Sequence, residues 1–404
     1  MPDAMDVDAG EGAPKVEEEE HPSEVILPDW EIAELRWQLS LDASLVPNKE
    51  EVKAKLMEKI KANNMAPFYV TLCEEFQWKK DQSLLSSMET ANKASLEKLE
   101  AKLTDAKENY GDTEIKDTLL STAHHWCRIG HKEKAIEAYD VALEKTVGVG
   151  SKLDNLLTQV RVAYANGDWS LMDKQIGRAK EQLEKGGDWE RKNKLLVYEA
   201  VLMIVNRQFA EAAKKLLDAV ATFTATELLP FEAFVRFTVL MAMASCERKV
   251  LKEKVTVSPE VLQVVAEMPA VGEFVNSFTK CDYRLFMKSL IPVMDLVRAD
   301  RLLHRHTLFL VRTYRLRGYF QFLEPFKSVT LNAMASSFGV SAPFIEEEVA
   351  SFIASGKLDC KIDKVGGVVE SNRPDARNHL YQQVIKNGDL LLNRLQKLSR
   401  VIDM

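Results

Sequence analysis

The chain has 404 residues, of which 46% are hydrophobic and 28% are charged, and its net charge is −7. The composition is that of an ordinary globular protein, and the length predicts two or three hydrophobic cores. The negative charge gives the chain no polyanion-binding signature, and no apolar run approaches the ~18 residues of a membrane span. The five cysteines include no CxxC pair, so reduced thiols and a cytoplasmic and nuclear location are expected.

The first 27 residues are strongly acidic. They carry carboxylates at positions 3, 6, 8, 11, 17 to 20 and 24 against a single lysine, Lys15. Such a segment has too few apolar residues to offset the entropy of ordering it, so a disordered tail is predicted. Two roles stay open for this tail: it solubilises the protein, or it is a docking arm that binds a basic partner.

From Pro28 onward the pattern becomes helical. Between residues 126 and 213 one unit recurs, in which a helix, a tight turn at a glycine or asparagine and a second helix follow one another. The turns lie at Gly130, Gly167 and Asn206, which gives a period in the high thirties. This period predicts stacked helical hairpins that share a core, as in a TPR-like solenoid.

The character of the sequence changes at Pro325. The pattern predicts a short amphipathic helix over residues 330–338, an N-cap at Ser341 and a second helix over residues 344–355. Residues 358–362 and 368–370 then alternate as strands around a glycine-containing turn. Helix, turn, helix and β-hairpin in this order predict a winged helix at about residues 325–372. The predicted fold class is therefore mainly all-α.

A final helix is predicted over residues 377–404, and it carries an apolar stripe with nearly heptad spacing. The stripe consists of Leu380, Val384, Leu391, Leu395, Leu398 and Ile402, with Gly388 between its two halves. Because the helix follows the winged helix, little of its own domain remains to cover the stripe. We therefore expect Leu391, Leu395, Leu398 and Ile402 to contact a partner helix.

No catalytic, cofactor-binding or metal-binding pattern stands out in the sequence. A phosphate loop, a nucleophile elbow and an HExxH pair are all absent. His124, Cys127 and His131 would share a helix face only if no turn separated them, and His304 and His306 would point apart on a helix. We interpret these side chains as packing or surface residues. No enzyme activity, cofactor, metal or small-molecule substrate is predicted.

The predicted winged helix has the wrong charge for DNA. Its second helix, which would be the reading helix, carries Glu346, Glu347 and Glu348. DNA binding requires Lys or Arg to neutralise phosphates, so no nucleic acid is expected as a partner. The β-hairpin offers a strand edge that a strand of another protein can extend, and Val368 and Val369 are the predicted contact residues there.

Arginines recur in the helices that precede the winged helix: Arg298, Arg301, Arg305, Arg312, Arg315 and Arg317. Isolated surface ion pairs are common and weak, so the first interpretation is a solvated or internally paired face. The alternative is a basic strip that faces another subunit.

Several segments resemble one known family. They include residues 28–30, 315–323, 328–331, 334–335, 338–341, 352–353, 358–363, 367–375 and 393–398, and the similarity is densest from residue 312 to the end. A helical solenoid that ends in a winged helix is similar to the PCI domain. The particular residues resemble the PCI-domain non-ATPase subunits of the 26S proteasome regulatory particle lid, in the family of subunit seven or subunit six. The related signalosome subunit is the nearest confusable relative.

The resemblance implies a non-catalytic scaffold subunit of the lid in ubiquitin-dependent protein degradation. Its implied partners are other PCI and MPN subunits of the lid and the small acidic lid peptide. The domains expected on this basis are helical repeats over residues 28–209, a PCI domain over residues 210–376 and a bundle helix over residues 377–404. Two alternatives stay open: a PCI scaffold subunit of the signalosome, or one of a translation initiation factor.

Overall fold

The computed structural model describes residues 27–42, 45–371 and 376–402, which are mainly helical. The disordered tail predicted for residues 1–27 therefore lies outside the described residues, apart from Leu27. No helix in these three stretches is both long and apolar enough to cross a bilayer. The first five helices are Trp30–Ser40 (α1), Lys49–Ala62 (α2), Ala66–Glu75 (α3), Gln82–Asn109 (α4) and Asp112–Ile129 (α5).

Three helical hairpins follow, and they confirm the predicted repeat. Their remaining helices are Lys132–Lys145 (α6), Val149–Asn166 (α7), Trp169–Glu184 (α8), Trp189–Val205 (α9) and Phe209–Ala219 (α10). Helix α5 packs against α6, α7 against α8 and α9 against α10. Gly130 and Gly167 end their helices in the left-handed conformation, with φ of 85° and 69°. In the third turn Arg207, rather than Asn206, has the positive φ of 62°.

The chain continues through six helices and two short 3-10 turns. The helices are Phe231–Ser245 (α11), Arg248–Lys254 (α12), Pro259–Glu267 (α13), Pro269–Lys280 (α14), Tyr283–Ala299 (α15) and Thr307–Leu323 (α16), and the turns are Val220–Thr222 and His304–His306. One hydrophobic cluster runs from Leu153 to Tyr314 and continues across residue 210. The domain boundary placed at that residue stays a prediction.

The C-terminal part has the predicted helix, turn, helix and hairpin. Its elements are Ser328–Thr330 (β1), Leu331–Phe338 (α17), Ala342–Ala354 (α18), Cys360–Asp363 (β2), Val368–Ser371 (β3) and Ala376–Ile402 (α19). Strand β1 was not predicted. Thr330 N-caps α17 through its side chain, whereas Ser341 precedes α18 without a side-chain cap hydrogen bond.

The turn between α15 and α16 joins distant parts of the fold. The indole nitrogen of Trp37, in α1, donates to the carbonyl of Ala299 at 2.8 Å. Arg301 donates to the carbonyl of Tyr164, in α7, at 3.1 Å. Its guanidinium also lies 4.2 Å from the centre of the Tyr164 ring, which is cation–π geometry. The N-terminal repeats are thereby held against the helices that lead to the winged helix.

Asp168 connects two neighbouring hairpins, and we expect its replacement to destabilise them. Its carboxylate caps α8 by accepting from the backbone N–H of Leu171 at 3.0 Å, and it pairs with Lys132 of α6. These hydrogen bonds, with that from Lys132 the largest cause, lower the pKa of Asp168 to about 2. Asp168→Ala is expected to lower the free energy of unfolding by about 0.5–2 kcal/mol, as for other lost N-caps.

The pH dependence of this effect follows from the sign of the pKa shift. The folded pKa of about 2 lies below the ~3.9 of an unfolded aspartate, so the carboxylate stabilises the fold above pH ~4. That stabilisation is lost as the pH falls toward ~2, and the stability difference between the unaltered chain and Asp168→Asn should shrink over this interval. Thermal unfolding midpoints measure it. Asp173→Asn, at an exposed position of α8, is the control, and an equal effect there would contradict the assignment.

Candidate protein-interaction surfaces

The winged helix has its own hydrophobic core, which is built around the end of α16. Tyr319 and Leu323 of α16 pack with Phe338 of α17 and Phe352 of α18. The Tyr319 and Phe338 rings are 4.9 Å apart in an edge-to-face arrangement, which is a favourable geometry for an aromatic pair. Helix α16 therefore fixes where the module sits on the helices that precede it.

The three strands form one sheet in the order β1-β3-β2. Strand β3 pairs antiparallel with both neighbours, so that Val369 lies opposite Val329 of β1 and Ile362 of β2. Val368 and Val369 are thus on the central strand, and Val369 is 1% exposed. The prediction that Val368 and Val369 lie at an exposed strand edge is therefore corrected. Within the described residues, the free edges of this sheet belong to β1 and β2.

A buried ion pair connects α16 to α18. Glu348 pairs with Arg315 at 3.0 Å, and the two side chains are only 12% and 22% exposed. Glu348 also accepts a hydrogen bond from the hydroxyl of Tyr319. Burial, with the neighbouring carboxylate as a further cause, raises the pKa of Tyr319. One of the three glutamates of the predicted reading helix is therefore taken up by contacts inside the winged helix.

The other two glutamates of α18 differ in their surroundings. Glu346 pairs with Lys364, at the turn of the β-hairpin, at 3.1 Å. Glu347 is exposed and has no ion pair within the described chain. The outer face of α18 therefore presents one uncompensated carboxylate and no surplus of basic side chains, which is not a surface that neutralises phosphates.

Helix α19 is exposed on every face. All its residues whose burial is described are exposed, and Leu391, Leu395, Leu398 and Ile402 are between 56% and 72% exposed. Helix α19 has 27 residues and carries a stripe of aligned leucines. Such a helix gains most of its stability from packing its apolar face, so it needs a partner surface. The structure thus leaves uncovered the surface for which the sequence predicts a partner helix.

The histidines considered as metal ligands have structural roles. His131 N-caps α6, and Gly130 separates it from His124 and Cys127. The His304 ring packs against the Trp37 ring in a tilted arrangement, with 4.1 Å between the ring centres. The Nδ1 atom of His306 accepts a hydrogen bond from Arg207 at 2.9 Å. Among the described residues, no group of three or more His, Cys, Asp or Glu side chains could hold a metal ion.

The arginines before the winged helix are partly accounted for by internal partners. Arg298 pairs with Asp295, and Arg317 donates to the carbonyl of Cys246. Arg301 and Arg315 have the partners given above. The internally paired interpretation is thus confirmed for these four residues.

Helical hairpins that lead into a winged helix are the architecture of a PCI-type protein. The family model described as PCI domain matches residues 293–373. The model described as 26S proteasome subunit RPN7 matches residues 81–254. The model described as the C-terminal helix of 26S proteasome regulatory subunit RPN7/PSMD6 matches residues 381–402. The chain belongs to the RPN7/PSMD6 family of 26S proteasome regulatory subunits.

Named relatives agree with this assignment along nearly the whole chain. The chain is 46% identical to the 26S proteasome non-ATPase regulatory subunit 6 homolog of Arabidopsis thaliana over 361 residues, which cover 89% of this chain and 93% of that protein. It is 40% identical to subunit 6 of Dictyostelium discoideum, over 94% of this chain and 98% of the relative. It is 31% identical to regulatory subunit RPN7 of Saccharomyces cerevisiae, over 93% and 94%. The signalosome and initiation-factor alternatives are not favoured.

We predict that the Glu348 ion pair stabilises the winged helix. Glu348→Gln removes the carboxylate partner of a largely buried Arg315, and such unpaired buried groups cost about 1–3 kcal/mol. Hydrogen exchange of the backbone amides of α17 and α18 measures the loss. Glu347→Gln removes one charge from the neighbouring exposed position and should change stability by less than about 0.5 kcal/mol. Equal exchange rates in the two variants would count against the ion pair.

We also predict that the chain binds duplex DNA no better than an acidic protein of similar net charge. The reason is the charge of α18, where Glu347 is exposed and the flanking Glu346 and Glu348 are already paired. Fluorescence anisotropy of a labelled duplex, titrated at several salt concentrations, measures binding. Submicromolar binding that weakens with salt would show that phosphates are neutralised after all.

Proposed function

We propose that this chain is a non-catalytic structural subunit of the 26S proteasome regulatory particle lid and scaffolds lid assembly for ubiquitin-dependent protein degradation. Membership of the RPN7/PSMD6 family supports the proposal, and the relatives are named as regulatory subunits that are not ATPases. Its proposed locations are the cytoplasm and the nucleus. Its proposed partners are the other PCI and MPN subunits of the lid and the small acidic lid peptide.

One observation carries the proposal: α19 presents an apolar stripe that nothing else in the described chain covers. Each leucine that becomes buried contributes about 1.5–3 kcal/mol, so the stripe strongly favours association. A helix with leucines at heptad-like spacing packs best against other helices. We propose that Leu391, Leu395, Leu398 and Ile402 enter a bundle formed with helices of other lid subunits.

The sheet of the winged helix supplies a second proposed contact. Strand β2 is an edge strand of this sheet because it pairs only with β3. Its side chains Lys361 and Asp363 are exposed. An edge strand can pair with a strand of another subunit through its backbone groups. We propose that the strand of another subunit pairs with β2 or β1. Val368 and Val369 of the central strand pair with both of these edge strands and hold them in position.

The bundle is tested by placing charges in the stripe. Leu395→Asp with Leu398→Asp removes burial worth about 3–6 kcal/mol and adds two unpaired charges to the seam, which costs more. The double variant should fail to enter lid complexes when a tagged copy is purified from cells. Its circular dichroism as a free protein should be nearly unchanged, because α19 buries no described side chain.

The matched control is Asn393→Asp with Gln396→Asp, which changes charge on the opposite face of α19. This control should enter the lid normally. Normal incorporation of the leucine variant would exclude the bundle. A loss of helical signal throughout the free leucine variant would show that the stripe belongs to the protein's own fold.

A further inference from the structure

A concave cleft lies between α4, α5, α7 and α9, and it is rich in basic side chains. Leu27 is among the residues that line it. The cleft contains two carboxylates, Asp154 and Glu227. Its cationic side chains are Lys98 and Lys102 from α4, Arg128 from α5, Arg161 from α7, and Arg191 and Lys194 from α9.

Half of these cations have partners inside the cleft. Arg161 and Lys194 both pair with Glu227, and Arg191 pairs with Asp154 at 2.7 Å. Lys98, Lys102 and Arg128 have no carboxylate partner within the described residues. The cleft therefore keeps a positive charge after its internal pairs are counted.

The arrangement of the remaining cations favours an anion. Lys98 and Lys102 are exposed and four residues apart on α4, so two like charges share one helix face, which is mildly destabilising. Two histidines of the cleft also lie near its cations, although burial has the larger effect on their pKa values. The pKa of His124 is lowered by desolvation and then by Arg161, and the pKa of His125 is lowered by burial and then by Arg128. Carboxylates bound here would offset the repulsion among these cations.

The acidic segment of the sequence ends three residues before Leu27, which lines the cleft. Leu27 packs against the hydrophobic cluster that contains Cys127, Tyr139 and Val162, so the described chain is held at this position. The carboxylates of residues 17 to 20 and 24 precede it in the sequence. An extended chain spans up to ~3.3–3.6 Å per residue, so the three-residue connection from Leu27 to residue 24 reaches at most about 10 Å and the seven-residue connection to residue 20 at most about 25 Å.

We propose that the acidic segment of residues 17–24 occupies this cleft in the same chain, where its carboxylates pair with Lys98, Lys102 and Arg128. The segment is then a docking arm whose basic partner is its own helical repeat. Tethering favours this occupant, because a short linker gives an effective concentration in the millimolar range. The contact forms within one chain and does not depend on the proposed role in the lid.

Carbodiimide coupling of the full chain tests the contact, because it joins a carboxylate to a lysine amine only when the two are within ion-pair distance. Peptide mapping by mass spectrometry should find residues 17–24 coupled to Lys98 and Lys102. Lys249 and Lys252, which are exposed on α12, should not be coupled to them. An equal mixture of nitrogen-15-labelled and unlabelled chains separates couplings within a chain from those between chains. Couplings only between chains, or spread evenly over exposed lysines, would overturn the proposal.

Cleavage by glutamyl endopeptidase gives an independent measurement. Lys98→Gln with Lys102→Gln should speed cleavage after residues 17–24 roughly tenfold, as expected if the effective concentration exceeds the dissociation constant about tenfold. The control, Lys249→Gln with Lys252→Gln, should leave the rate unchanged. High salt should speed cleavage of the unaltered chain, because it screens exposed charges. If salt and the cleft variant both leave the rate unchanged, the segment does not occupy the cleft.

Discussion

The fold depends on one buried carboxylate, that of Asp300 in the turn between α15 and α16. The side chain is 6% exposed and pairs with Arg236 of α11 at 2.8 Å. It also accepts hydrogen bonds from the backbone N–H groups of Leu302 and Leu303 at 2.9 and 3.2 Å. A buried charge without such partners is very costly, so the turn can adopt only the conformation that supplies them. The neighbouring Ala299 and Arg301 are thereby presented to α1 and α7.

Helix α16 carries this constraint into the winged helix. Its first half places Leu310 and Tyr314 in the large core, and its second half places Tyr319 and Leu323 in the core of the winged helix. Gly318 lies between the two halves, where an added Cβ would come within 3.0 Å of the Phe286 ring. The two cores thus share one rigid helix, and the module has a fixed orientation on the repeats. Helix α19 lies outside both cores.

Local patterns in the sequence predicted much of this architecture, because they depend on neighbouring residues. Gly130 and Gly167 end helices through backbone conformations that glycine adopts freely, and the stripe of α19 is readable from spacing alone. Contacts between distant residues were not predictable in this way. Strand β1 has three residues and exists because it pairs with β3, 40 or so positions later. Because β3 pairs with both β1 and β2, Val369 lies on the central strand and not at an edge. Glu348 faces inward because it pairs with Arg315 of α16, a contact that the local sequence does not reveal.

The charged cleft and the apolar stripe of α19 need different kinds of partner. Several partly buried cations among the described residues meet a carboxylate or carbonyl there, as Arg236, Arg301 and Arg315 do. The cleft at α4 and α5 retains Lys98, Lys102 and Arg128, and the sequence supplies carboxylates a few residues from its lining. Charge can therefore be satisfied by a tethered segment that needs no fold of its own. A tethered acidic segment cannot cover the stripe of α19, because an apolar seam of this kind packs against another helix.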